Sequence, residues 1–414
     1  MLLLYRFFFI IAMIISSPYL FFKALFGKHG IKERLGFVVV RKSKGKLYWF
    51  HAASVGELKI LDLVIPEIKK HLPKLEIAIS TTTATGKRRA KELFPDAIVF
   101  HQPLEFYSAI QRTIDNLRPE KLILVETEIW PLLINIAIEN GLKVDLVNAR
   151  LSTRSFEFYK WFKLFISKTL SNLDHILAQS RLDAERFMEL GAKGVSVIGN
   201  IKFDQVIFGN GQSINSIILQ NSGRLVFVAG SIRRGEDRIF ADLIVRSREQ
   251  SLPVFFVLVP RHMKDMDDLT ELLIERGISF IFWSESRGHE PFGDTVLLVN
   301  TMGELTDFYK SADLAFVGGS MIPIGGHDPA EPAALGKPVL FGPYMDNAKD
   351  AARILLDSGG AQVVNDDNDL LGYLHKALEN RELLIENGRR CRESILSMAG
   401  VSRKTAKIIV GDSN

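Results

Sequence analysis

Short apolar runs alternate with longer amphipathic stretches along most of this chain, the rhythm of strand followed by helix. In the first half the pattern predicts strands at Leu47–His51, Glu76–Ser80, Ala97–His101, Lys121–Glu126, Val144–Asn148, His175–Gln179 and Val195–Gly199. Helices are expected between them, as at Leu58–Lys70 and Lys87–Leu93. The second half repeats the rhythm at Leu225–Gly230, Val254–Val259, Ser279–Phe282, Val296–Val299, Leu314–Val317, Val339–Phe341 and Gln362–Val364. Strands so continuously apolar belong to parallel sheets covered on both faces. The polar segment Phe203–Gly223 lacks a clear pattern and reads as a link. We therefore expect an α/β protein of two doubly wound domains facing a cleft. Ligands in such sheets sit beyond the carboxyl ends of the strands, so chemistry is sought in the turns there.

The N-terminus breaks the rhythm. No charge appears from Phe7 to Phe22, and Arg6 and Lys23 bracket the run. It is short for a straight transmembrane helix, which needs about 20 apolar residues. Counting Met1 to Leu4 and letting Arg6 and Lys23 snorkel makes a span feasible. No small-residue cleavage site of convincing form follows, so the segment reads as a retained anchor. Lys28, Lys32, Arg34, Arg41, Lys42, Lys44 and Lys46 come next, which places the main body on the cytoplasmic side. A buried helix of the first domain and an interfacial helix are the alternatives.

Composition narrows the classes. The chain has 414 residues, enough for two full cores. Its formal charge of +4 is small, and no Arg/Lys ladder interleaves with aromatics, which argues against nucleic acid. A single cysteine, Cys391, excludes an internal disulfide.

The richest candidate for chemistry runs from Gly318 to Pro343, reading GGSMIPIGGHDPAEPAALGKPVLFGP after the apolar Leu314–Val317. Its glycines let backbone approach a ligand, and a helix start offers N–H groups to an anion. Glu331, just inside that helix, suits ribose hydroxyls, so the stretch suggests a nucleotide carrying a sugar. Arg233 with Arg234, Arg261 with His262, and Asn300 to Leu305 with Gly303 follow other strands of the same half. In the first half, His51-Ala52-Ala53-Ser54-Val55-Gly56-Glu57 leaves the first strand. Spacing alone favours Ser54 and Glu57 as a capping box; the other reading makes Glu57 a general base at the strand end. Thr81 to Gly86 before Lys87-Arg88-Arg89 fits either helix capping or a phosphorylated acceptor. Glu126 and Glu128 point to opposite sides if the chain stays extended, and Asn148 or Arg150 is a candidate structural partner. Neither a G-x-G-x-x-G after the first strand nor a G-x-x-x-x-G-K-[ST] is present, and no G-x-S-x-G. His51, His262 and His327 lie in separate motifs without metal-ligand spacing.

With these motifs in order, the chain resembles the Kdo transferases of lipopolysaccharide biosynthesis, a membrane-associated family with the GT-B glycosyltransferase fold. The likeness runs through HAASVGE, ETEIWP, NARLS, GNIKFD, AGS, LVPRH, MGEL, VGGS, GGHDPAEP and GKPVLFGP. It implies transfer of Kdo (3-deoxy-D-manno-octulosonic acid) from CMP-Kdo onto a tetraacyldisaccharide lipid A precursor, at the cytoplasmic face of the inner membrane. It makes Glu57 the proton acceptor and Glu126 a second important glutamate. CMP contacts fall on Pro260 and Arg261, on Met302, Gly303 and Glu304, and on Asp328, Pro329, Ala330 and Glu331. Asp328 stands where the family usually has asparagine, and Ala330 where it has leucine. No metal or other cofactor is expected. The implied organisation is a membrane anchor over 1–27, an acceptor domain over 28–202, a linker over 203–223 and a CMP-sugar domain over 224–414. A GT-B enzyme using a UDP-sugar with a lipid acceptor is the alternative.

Overall fold

The computed structural model describes residues 30–204, 223–286 and 294–411. The expected anchor over 1–27 and nearly all of the expected linker lie outside them. Among the described residues, no helix is long and apolar enough to cross a membrane. The chain forms two compact units, one built from residues up to 204 together with 400–411, the other from 223–399.

The first unit is a seven-stranded parallel sheet: β1 (Leu47–His51), β2 (Glu76–Thr81), β3 (Ile98–His101), β4 (Lys121–Val125), β5 (Lys143–Ala149), β6 (His175–Ala178) and β7 (Val195–Val197). Their order is β3-β2-β1-β4-β5-β6-β7. β1 thus lies between β2 and β4, with Trp49 beside Ala78 and Leu122. Alternate residues of β1 enter different cores. Leu47 and Trp49 join the cluster of Leu122, Leu124 and Leu146, while Tyr48 and Phe50 join that of Ile77, Ile79 and Ile123. Period-two side chains buried on both faces are what a covered parallel strand requires, and they explain why the runs read as continuously apolar.

Helix Val401–Val410 belongs to this unit. Sequence grounds grouped it with the second domain, because its pattern shows an apolar stripe without showing where the stripe is buried. Val401, Ala406 and Ile409 pack in the cluster with Leu61, Val64 and Ile68 of helix Val55–His71. The Nζ of Lys121 donates to the carbonyl of Ile409. At the helix start, the buried carboxylate of Asp204 accepts from the Gly400 and Ser402 amides, both at 2.7 Å.

The second unit repeats the plan with β8 (Leu225–Ile232), β9 (Val254–Pro260), β10 (Phe280–Phe282), β11 (Val296–Leu298), β12 (Leu314–Val317), β13 (Val339–Phe341) and β14 (Ala361–Val363). The order is β10-β11-β9-β8-β12-β13-β14, again parallel throughout. In each sheet the first strand sits where connections turn from one direction to the other, at β1/β4 and β8/β12. That is where a doubly wound sheet opens a crevice above its strand ends.

Candidate functional site

In the first unit the crevice above β1, β4 and β5 is lined by carboxylates. Ser54 caps helix Val55–His71 and accepts from the Glu57 amide at 3.3 Å. Glu57 folds back: one oxygen accepts from Ser54 Oγ and the other from the Ala53 amide, each at 2.7 Å. This is a capping box shifted by one residue, since the amide reached precedes the cap. Glu57 is only 9% exposed. Burial pushes its carboxyl above the usual range; the Ser54 hydrogen bond opposes this, and the nearby charges of Glu128 and Glu126 add to the rise.

Glu126 and Glu128 part company because the strand stops. Glu126 has φ 58°, in the left-handed region, and so does its neighbour Asn148 with φ 51°. Such backbone costs a non-glycine residue about 1–3 kcal/mol and concentrates at functional sites. Asn148 reaches Glu126 only at 3.5 Å; the close partner is Lys202, whose Nζ stands 2.7 Å from Glu126 Oε1. Asn148 Oδ1 instead accepts from the Ile201 amide at 2.9 Å, which fixes the segment carrying Lys202. Glu128 accepts from Trp130 Nε1 at 2.7 Å and lies 3.1 Å from His51 Nε2. Burial would raise the Glu128 carboxyl, but these hydrogen bonds and the His51 ring outweigh it and hold it low. His51 Nδ1 meets Ser80 Oγ at 2.9 Å, and Trp49 Nε1 donates to the same oxygen. Nδ1 also lies 3.1 Å from the Ser80 carbonyl oxygen, and because the Glu128 carboxylate can only accept, Nε2 is the donor of that pair.

The hydroxyl-rich turn after β2 forms the helix cap that its spacing allows. Thr83 caps helix Ala84–Leu93, and Lys87 is paired with Glu33 at 2.5 Å.

In the second unit four cationic or imidazole side chains gather at the ends of β8, β9 and β12. Arg233 Nη1 donates to His262 Nε2 at 3.0 Å. The exposed guanidinium of Arg261 has no hydrogen-bond or ion-pair partner among the described residues. His327 is pushed down to about 4, first by burial and then by the charges of Arg261, Arg233 and His262. Positive charge gathered in this way favours an anion.

The remaining expected contacts surround this cluster. Pro260 ends β9, and the Arg261 amide bonds the Ile232 carbonyl at 2.9 Å. Met302 is exposed and Gly303 takes φ 89°. Glu304 accepts from Trp283 Nε1 at 3.1 Å and from Thr301. Asp328 Oδ1 accepts from the Ala330 amide at 3.0 Å beside the buried Pro329, closing the start of helix Ala330–Ala334. Aspartate does that work as well as asparagine. Glu331 lies within reach of Thr306 Oγ1 at 3.4 Å.

The Gly-rich turn after β12 is expected to let backbone approach a ligand, but three of its amides are already bonded within the chain. The amides of Gly319, Ser320 and Met321 point at the carboxylate of Glu236, at 2.7, 2.9 and 2.9 Å.

The comparisons with known proteins decide the family. A family model described as 3-deoxy-D-manno-octulosonic-acid transferase (kdotransferase) matches residues 29–205. The 3-deoxy-D-manno-octulosonic acid transferase of Haemophilus influenzae is 33% identical over 344 residues, which cover 80% of this chain and 79% of that protein. The chain belongs to the Kdo transferase family. It is accordingly a glycosyltransferase. A bifunctional glycosyltransferase/methyltransferase of Fusobacterium nucleatum is also 33% identical, over 88% of this chain, but the chain spans only 57% of that relative's length. Among solved structures, MurG of Acinetobacter baumannii superposes with a TM-score of 0.57 at 12% identity, covering 89% of this chain and all of that one, a likeness of fold.

Within this family frame, Lys202 and Glu236 went unnamed at the sequence level, and His262 and His327 were named only in separate motifs. Lys202 belongs to the GNIKFD motif, and only the fold brings it to Glu126. His262 and His327, 65 residues apart in number (327 − 262), read as lone histidines until β9 and β12 set their turns together. Glu236 looked like an ordinary residue of a charged helix start; nothing in its neighbours signals the partner turn.

Proposed function

We propose that this protein transfers Kdo from CMP-Kdo to a tetraacyldisaccharide lipid A precursor, by an inverting displacement that assigns no step to a metal. The reading rests first on Glu57. A carboxylate that is buried, raised by burial and like charge, and set at the carboxyl end of β1 is a better base than an exposed one. The acceptor hydroxyl oxygen attacks the anomeric carbon of Kdo as Glu57 takes its proton. The bond from that carbon to the phosphate oxygen breaks, and CMP leaves with the electron pair. Arg261, Arg233, His262 and His327 meet the negative charge that grows on the leaving phosphate. Glu304 and Glu331 are assigned to the nucleoside. Lys202 beside Glu126 is a cation near the reacting centre of the first unit.

We place the protein at the cytoplasmic face of the inner membrane. Two features support this: the charge-free segment Phe7–Phe22, and an apolar face on the first unit where Phe158, Trp161 and Leu164 are exposed among Arg154, Lys160, Lys163 and Lys168.

Incubating the full chain with CMP-Kdo and the lipid precursor, then weighing the product, tests the reaction. The expected product is heavier by one or more Kdo residues, and no mass change defeats the proposal. A folded Glu57→Gln variant should lose about 10²–10⁴ in rate; near-full turnover excludes Glu57 as base. Protection against thermal unfolding should be given by CMP and not by UDP.

A further inference from the structure

Glu236 lies outside every role assigned so far, yet it is fully buried. Its carboxylate accepts four backbone N–H groups: Arg233 at 3.0 Å and Gly319 at 2.7 Å on one oxygen, Ser320 and Met321, both at 2.9 Å, on the other. A concave run of amides closing on an anion is the arrangement that holds phosphate in other folds. Here the chain supplies its own anion.

The consequences spread outward from that carboxylate. The Gly318 carbonyl receives the His327 amide at 3.1 Å, and the Gly319 carbonyl receives the Gly326 amide at 2.7 Å. The turn held by Glu236 therefore sets the backbone of His327. Ser320 passes the constraint on: its Oγ accepts from the Gly342 amide at 2.8 Å, and its carbonyl accepts from the Tyr344 amide. On the other side Glu236 grips the amide of Arg233, whose guanidinium donates to His262. One side chain thus fixes the positions of Arg233 and His327, two members of the basic cluster. The turn is packed closely beside β8, since a Cβ at Gly318 would stand 2.5 Å from the Ser231 carbonyl oxygen.

We infer that Glu236 is a positioning residue for the sugar-nucleotide donor. As the resident anion of the Gly-rich turn, it excludes the donor phosphate from the turn amides and aims Arg233 and His327 at that phosphate. The inference rests on the reading of the basic cluster as the donor's phosphate site. It deepens that reading by assigning phosphate recognition to side chains rather than to the glycine turn.

The test uses the full chain and calorimetric titration with CMP, alongside steady-state kinetics. Glu236→Gln keeps the shape but sets an NH₂ against amides that need an acceptor. It should weaken CMP and raise the donor KM about 10- to 100-fold. The acceptor KM should hold and kcat should change less than the donor KM, a split that general loosening does not produce. Glu236→Ala opens the amide nest, and formate added to that variant should restore CMP affinity. Should Glu236→Gln fail to fold, Glu236→Asp keeps the charge one methylene short and should weaken CMP in the same sense. Unchanged CMP affinity in the folded variant, or a fall in kcat and a rise in acceptor KM as large as the rise in donor KM, overturns the inference. Wild-type protein that binds no CMP overturns the donor reading itself, a result distinct from either.

Discussion

A carboxylate that closes a helix start can also accept a proton, because each oxygen carries two lone pairs and a cap uses one. At Glu57 both uses coincide, and spacing alone could not separate them, since Ser-x-x-Glu looks the same in either case. What distinguishes this glutamate is its surroundings: buried at the end of β1 with Glu128 and Glu126 near. The sign of the pH effect follows. The base works only unprotonated, and its proton affinity is raised, so activity is lost as pH falls through a value above the ordinary glutamate range. The acid limb of kcat/KM should therefore lie higher than an exposed glutamate would place it. Glu128→Gln removes a like charge, makes ionising Glu57 easier, and should move that limb to lower pH. A pH profile with the limb unmoved in Glu128→Gln would detach Glu128 from the base. Glu57 was legible as a residue; its environment was not, because Glu128 and Lys202 reach the site only through folding.

Elements were more legible than sites. Each expected strand is present; burial on both faces makes an interior strand such as β1, β8 or β12 apolar along its length, whereas the edge strands β7, β10 and β14 stay partly exposed. Their ends moved where backbone conformation intervened: Glu126, expected inside a strand, ends it with a left-handed φ. The last helix was misassigned for a different reason. An amphipathic stripe announces that it packs, and the partner is a matter of topology. Asp204 supplies the missing information, since its carboxylate accepts the amides of Gly400, Val401 and Ser402 and the hydroxyl of Ser402. Asp204→Ala leaves these donors unmatched at a helix start. We expect a loss of about 2–4 kcal/mol, read as a lower urea midpoint at unchanged slope. An unchanged midpoint would mean that Val401, Ala406 and Ile409 hold the helix without its cap.

For the molecule as a whole, the proposed lipid acceptor requires a way for the chain to meet a bilayer. Segment Phe7–Phe22 is one signal for the bilayer, and a single marginal signal gives reversible attachment. Helices Thr153–Trp161 and Lys163–Leu170 supply a second. Phe156 and Ile166 turn inward to the core, while Trp161 and Leu164 are 87% and 84% exposed. Large apolar side chains left in water beside lysines match a membrane interface, where aromatic rings sit at the headgroups and cations meet anionic lipid. Two independent signals predict a graded loss. Removing the residues before Lys28 should lower recovery with anionic vesicles and leave a remainder that added salt dissolves. Trp161→Glu with Leu164→Glu in the truncated chain should abolish that remainder, while turnover on a detergent-dispersed acceptor persists. Vesicle binding that survives all these changes would leave both segments without a part in attachment.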